Sequence, residues 1–216
     1  AAGGERQQKA IAALRREHPG LFLFHGLELD IPSYGGREQM NVLLHPDQAT
    51  EWLPRLRRTV DEAKNNGGDP DRGFLNLINR IRDGKHRALL LYNHPSRKVE
   101  RVDESLEDLR RWRDLGTRVD AMAGAPGHQR YEAIGAYRGA ITTEDRWDPA
   151  AALVGGVWDQ YIASGDDLWA ALASSDYHGS GGDAPPCTFS RIHISAPSRS
   201  YDGILEALDD GTFWAD

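Results

Sequence analysis

The chain alternates between short, densely apolar runs and longer segments whose apolar residues recur every three or four positions. Runs of the first kind are Leu21–Glu28 (LFLFHGLE), Met40–Leu44, Ala88–Tyr92, Val119–Ala123, Leu168–Ala173 and Arg191–Ser195. Their length and β-branched or aromatic content predict strands. The second kind carries one apolar stripe each. Ile11 and Leu14 mark the opening helix, and Trp52, Leu53, Leu56 and Val60 mark Asp47–Asn66. Phe74, Leu75, Ile78 and Ile81 mark the helix from Pro70, and Leu106, Leu109 and Trp112 mark Asp103–Leu115. Further helices are predicted from Pro149 to about Ala163 and over Ser200–Asp210. The punctuation agrees with this division. Asp69 and Asp148 stand at capping positions with Pro70 and Pro149 at the first helical position, and Gly84 and Gly116 stand at helix ends.

Continuous apolarity in LFLF predicts a strand covered on both faces, as in a parallel sheet. Strand–helix alternation of this kind predicts an α/β domain with a mainly parallel sheet, open or closed into a barrel. About six strands are few for a closed eightfold barrel. The 216 residues fit a single domain, residues 1–216, with a substantial core.

Composition narrows the partners. The net charge of −7 and the lack of long basic runs argue against a broad nucleic-acid surface. Cys187 is the single cysteine, so neither a disulfide framework nor a cysteine-based zinc site is possible, and a reducing, cytoplasmic setting is expected. No apolar run approaches the ~18 residues of a membrane span. Oligomeric state is left open.

The chemistry-bearing residues sit where the apolar runs end. In Ala170–Gly179 the run finishes in Ser175-Asp176-Tyr177-His178. Residues two apart in an extended segment point the same way, so Asp176 and His178 can reach one point in space. A carboxylate and an imidazole so placed suit Zn²⁺, Mn²⁺ or iron; the alternative is an ordinary polar loop. The pattern recurs: Leu21–Glu28 ends in Glu28, Ala88–His94 ends in His94 before Pro95, and Val119–Gly124 runs into Gly127-His128. In a parallel sheet the C-terminal strand ends share a rim, and that rim is where α/β sites lie. Arg97 and Arg191 lie just outside strand ends, as phosphate ligands or as surface ion pairs. His128 reads as a substrate or metal contact or as a loop histidine. His25, out of phase with Glu28, reads as a histidine packed in the core or behind the site.

Gly26-Leu27-Glu28, Asn93-His94-Pro95 and Ser175-Asp176-Tyr177-His178, in that order, resemble the motifs of the PHP (polymerase and histidinol phosphatase) domain. The resemblance covers nearly the whole chain. It implies a distorted (βα)7 TIM-like barrel and a metal-dependent phosphoesterase, a hydrolase of a small phosphorylated molecule or nucleotide. It implies two or three divalent ions (Mn, Zn or Fe) at the C-terminal strand ends. Glu28 would be a bridging ligand, His94 a further ligand, and Asp176 and His178 the final pair and catalytic centre, with Arg97, His128 and Arg191 toward substrate. Such a cluster generates hydroxide near neutral pH and stabilises both oxygens of an in-line displacement.

Two positions depart from the family. Its His-x-His on the first strand has no counterpart before Glu28, so the resemblance implies a barrel incomplete at the N-terminus and a chain with weak metal binding and little turnover. Ahead of Asn41-Val42-Leu43, where the family often has a histidine, this chain has Gln39, and His45 lies beyond the strand. Two other classes stay in view: a related-barrel metal hydrolase of amides or esters, and a non-catalytic PHP-like binding domain.

Overall fold

A computed structural model describes residues 2–31, 39–84, 86–101, 103–126, 137, 142–144, 147–179, 185–188 and 190–216. Within them the chain forms helix α1 (Ala2–Glu17), strands β1 (Gly26–Leu29) and β2 (Gln39–Leu44), helices α2 (Pro46–Asn65) and α3 (Pro70–Asp83), strand β3 (Ala88–Asn93), helix α4 (Asp103–Asp114) and strand β4 (Ala121–Pro126). There follow helices α5 (Pro149–Ala152) and α6 (Val157–Ile162), strand β5 (Trp169–Ser174), strand β6 (Ile192–Ile194), helix α7 (Tyr201–Asp209) and strand β7 (Phe213–Ala215).

The first five strands make one mixed sheet in the order β1-β2-β3-β4-β5, and β6 and β7 make a separate antiparallel pair. Strands β3, β4 and β5 run parallel, whereas β2 is antiparallel to both neighbours. The mixed α/β class is therefore present, but the mainly parallel arrangement needs correction at β2, and the strands of the described residues do not close into a barrel. The reason lies in the connections. One helix between two strands carries the chain back to the starting edge and yields a parallel pair, as α4 does between β3 and β4. The two long helices α2 and α3 add a second reversal, so β3 enters opposite to β2, whereas the short helices α5 and α6 between β4 and β5 leave that pair parallel.

Both faces of the sheet are covered. Met40, Val42 and Leu44 of β2 and Ala88, Leu90 and Tyr92 of β3 join the apolar stripes of α2, α3 and α4 in the larger core. Leu89, Ala121 and Leu172 face the other way, against Leu205 and Leu208 of α7, with Phe24, Leu43, Leu91 and Phe213 beside them. The helix signals behave as the sequence predicts: Asp69 accepts from the Arg72 N–H at 3.1 Å and Ser200 accepts from the Gly203 N–H at 3.0 Å.

The LFLF run is not a strand. Strand β1 starts only at Gly26, and Phe22 and Phe24 set their rings edge-on to Tyr201 at 5.1 and 5.0 Å. Both rings meet the first residue of α7, and Phe24 also packs beside Leu89, Ala121 and Leu172 of the sheet. His25 is buried, its Nε2 lies 3.3 Å from Gln7 Oε1 of α1, and burial followed by the Arg15 charge holds its pKa below the ordinary imidazole value. The predicted helix from Pro149 breaks into α5 and α6 at Gly155-Gly156, where Gly155 takes φ +73°.

At the start of β5 the Trp169 indole N–H donates to Asp209 O at 3.0 Å, and the ring lies over Gly211. A Cβ at Gly211 would sit 2.6 Å from the ring, and its φ is +71°. Gly211→Ala combines overpacking with a left-handed backbone and is expected to cost about 2–4 kcal/mol. Chemical denaturation measures it. A loss below about 0.5 kcal/mol, the size of an ordinary surface change, would show that the indole moves aside freely.

Candidate functional site

Strand directions decide which ends of the chain meet. Strand β1 is antiparallel to β2 and β2 to β3, so β1 points the same way as β3, β4 and β5. The C-terminal ends of these four strands therefore share one edge of the sheet, as the sequence predicts for Glu28, His94 and Asp176 with His178. Strand β2 begins at that edge, with Gln39 opposite Asn93, and ends at the other, with Leu44 opposite Ala88. Gln39 thus holds the rim position. His45 lies past the far end, where its Nδ1 accepts from the Asp47 N–H at 3.3 Å and caps α2.

Glu28 alternates with Leu27 and Leu29, which join the larger core, and so it projects from the opposite face, together with Asn41 and Asn93. The Asn93 amide, nearly fully buried, donates to Glu28 Oε1 at 2.8 Å, and Asn41 Nδ2 donates to Asn93 Oδ1 at 3.3 Å. One Glu28 oxygen is thereby fixed against the residue that precedes His94.

His94 is buried and takes φ +30°, a region that costs a non-glycine residue about 1–2 kcal/mol. The turn that imposes it is stapled from three sides. The Arg97 N–H donates to His94 O at 3.0 Å, and Ser105 Oγ of α4 donates to Pro95 O at 2.7 Å. The Ser96 N–H donates to Asp148 Oδ2 at 3.0 Å. Asp148 is fully buried; it caps α5 through the Ala150 N–H at 2.8 Å, and its own N–H donates to Gly124 O of β4 at 2.7 Å. Strain of this kind persists only where surrounding bonds over-determine it, which is common at binding sites.

Asp176 is the second non-glycine residue of the rim with a left-handed backbone, at φ +47°. Its side chain, 13% exposed, lies between two basic groups: His178 Nε2 is 3.7 Å from Oδ1, and Arg97 Nη1 is 3.7 Å from Oδ2. The spacing of Asp176 and His178 fits two ligands of one ion, because bonds of roughly 2.0–2.2 Å place ligand atoms about 3–4 Å apart. Their donor set, carboxylate oxygen and imidazole nitrogen, suits Zn²⁺, Mn²⁺ or iron. Among the described residues, no three or more His, Cys, Asp or Glu side chains gather closely enough to share an ion. The structure brings Asp176 to His178 and Arg97, and Glu28 to Asn93.

His128 lies outside the described residues. Arg191 stands at the start of β6, where Nε and Nη2 donate to Asp216 Oδ1 and Oδ2 at 2.7 and 3.0 Å, and where the two backbones also exchange hydrogen bonds. Next to this clasp the His193 and Trp214 rings stack at 4.8 Å. The hydrogen bond from Arg191 holds the Asp216 carboxyl below its ordinary value. A depressed acid contributes stability above the unfolded-state pKa, near 3.8, and loses it as pH falls through the lower folded value. The β6–β7 pair is therefore expected to loosen below about pH 4. Trp214 fluorescence titrated in wild type and Asp216→Asn checks this; identical acid profiles would rule it out.

Reading the sequence alone passed over Asn41 and Asn93 as functional groups and took Asp148 only as a helix cap. A polar residue that ends an apolar run was the available signal for Asn93. Asp148 binds the His94–Arg97 turn through a contact 52 residues away in sequence, which local pattern does not encode.

Comparison with protein-family profiles, curated proteins and solved structures finds no match to this chain. No helix among the described residues is long and apolar enough to cross a membrane.

Proposed function

We propose that this rim is the active site of a metal-dependent phosphoesterase acting on a small phosphorylated molecule or nucleotide. The observation that carries the reading is the placement of Asp176 between His178 and Arg97 at the end of β5, on the edge where β1 and β3 present Glu28 and His94. Asp176 and His178 would hold the metal, with Glu28 on β1 and His94 after β3, four and two strands from β5 in the sheet order, as the further ligands the reading calls for. Bound there, a divalent ion supplies an activated water and neutralises phosphoryl oxygens. Arg97 presents a planar fork of donors that matches a phosphate. Asn93 keeps one Glu28 oxygen occupied and so fixes the direction of the other. On this reading the five strands are part of a distorted PHP-type barrel.

Gln39 favours a second reading. An amide at the rim, where a further imidazole would strengthen the metal site, suits a domain that binds a phosphorylated ligand without hydrolysing it. The two separate in one assay of the purified chain with Mn²⁺ and an aryl phosphate. Metal-dependent release of the phenol supports the phosphoesterase, and metal-dependent binding without release supports the binding domain. Failure to bind either metal or phosphate ends both.

A further inference from the structure

The two oxygens of Asp176 have different neighbours: Oδ1 faces His178 Nε2 and Oδ2 faces Arg97 Nη1, each at 3.7 Å. The carboxylate is 13% exposed and the Arg97 side chain 32% exposed, so solvent screens this pair only in part. A guanidinium 3.7 Å away opposes a cation at Asp176 in two ways: it stands over one carboxylate oxygen as an ion pair, and its charge repels the incoming ion. The backbone beneath it is fixed, since the Arg97 N–H is bound to His94 O and the Ser96 N–H to Asp148. Release therefore needs only rotation of the Arg97 side chain. An anion of the phosphate class is the partner for which a guanidinium fork leaves a carboxylate, because it offers more oxygens and more charge in a matching plane.

We propose that Arg97 is a phosphate-released latch on the metal site, holding Asp176 while no phosphate is bound and freeing it when a phosphate group engages the guanidinium. The proposal rests on Asp176 being a metal ligand, as the phosphoesterase reading has it. Metal and phosphate then bind cooperatively, and linkage makes the effect reciprocal: phosphate raises metal affinity by the factor by which metal raises phosphate affinity. The site would load fully only in the presence of a phosphorylated ligand, and sulfate esters or carboxylates would be weaker triggers.

The test is Mn²⁺ affinity of the whole chain, read from the free-ion electron paramagnetic resonance signal, with and without inorganic phosphate. Arg97→Gln removes the latch and is expected to tighten phosphate-free Mn²⁺ binding about tenfold, a typical size for coupling between sites, while weakening the response to phosphate. Arg97→Lys keeps a cation beside Asp176 and should stay near wild type. Unchanged or weaker phosphate-free binding in Arg97→Gln overturns the latch. If Asp176→Ala still lowers Mn²⁺ affinity in that case, the metal reading stands without it. Equal Mn²⁺ affinity in Asp176→Ala and wild type with phosphate present, or no Mn²⁺ binding by wild type and Arg97→Gln alike under either condition, overturns both.

Discussion

Asp120→Ala is expected to lower the free energy of unfolding by about 3–5 kcal/mol, the range for removing one partner of a buried ion pair. Asp120 precedes β4 and its side chain is 2% exposed. One oxygen accepts from Arg82 Nη2 and from the Leu90 N–H, both at 2.6 Å; the other accepts from Arg118 Nε at 3.1 Å. Burial is the largest influence on both members of the inner pair, pushing the Asp120 carboxyl up and the Arg82 guanidinium down. The charges are held against that burial by each other, by Arg118 and by the Leu90 N–H. Alanine removes the buried carboxylate opposite Arg82, leaves that guanidinium only its carbonyl partners Ala88 O and Arg118 O, and takes the acceptor from the Leu90 N–H. Asparagine, which keeps an acceptor for Leu90, should cost less. Urea midpoints for the two variants provide the check, and an alanine loss under about 1 kcal/mol would mean that water replaces the carboxylate at no great cost.

Asp176→Ala should lower any metal-dependent phosphoester turnover by orders of magnitude and leave stability nearly unchanged. The asymmetry follows from the side chain's position. The Asp176 carboxylate forms ion pairs at 3.7 Å with partners that are exposed or half-exposed, while its backbone adopts a left-handed conformation that alanine tolerates less well. As a metal ligand it sets the affinity and position of the ion, so its loss is felt in every turnover. Asp176→Asn preserves the left-handed preference and separates backbone strain from ligand loss. Turnover with Mn²⁺ and an aryl phosphate is the measurement. An Asp176→Ala protein as active as wild type would remove this residue from the mechanism.

What the sequence disclosed and what it hid divide along physical lines. Helices α2 and α3 were legible because their stripes, the Asp69 cap and Pro70 are all local signals. The shared edge for Glu28, His94 and Asp176 was legible because an apolar run ending in a ligand-type residue marks a strand end. The direction of β2 was not, since it depends on how the long helices α2 and α3 return the chain, and helix number alone does not fix it: two helices also separate the parallel β4 and β5. LFLF misled because a run of apolar residues states only that it will be covered; Tyr201, which covers Phe22 and Phe24, lies far along the chain. Strand β7 was passed over because Phe213-Trp214-Ala215 is three residues long and carries no alternation. The hydrogen bond between Asn93 and Glu28 spans 65 residues, and only the sheet register makes it visible.

Tyr201 has a kinetic meaning as well as a structural one. Its ring meets Phe22, Phe24 and His45 edge-on and lies under the Arg15 guanidinium at 5.3 Å, while Arg199 Nη2 donates to Gly20 O at 3.2 Å across 179 residues. Each of these contacts closes a loop that contains most of the chain, and loop-closure entropy is spent before any of them returns energy. The β2–β3 ladder and the α2–α3 pair close far shorter loops and can form beforehand. The Tyr201 cluster is thus expected to form late on the folding route. Interactions gained after the transition state act mainly on the unfolding rate, so loss of this ring is expected to shorten the life of the folded chain more than it slows its formation.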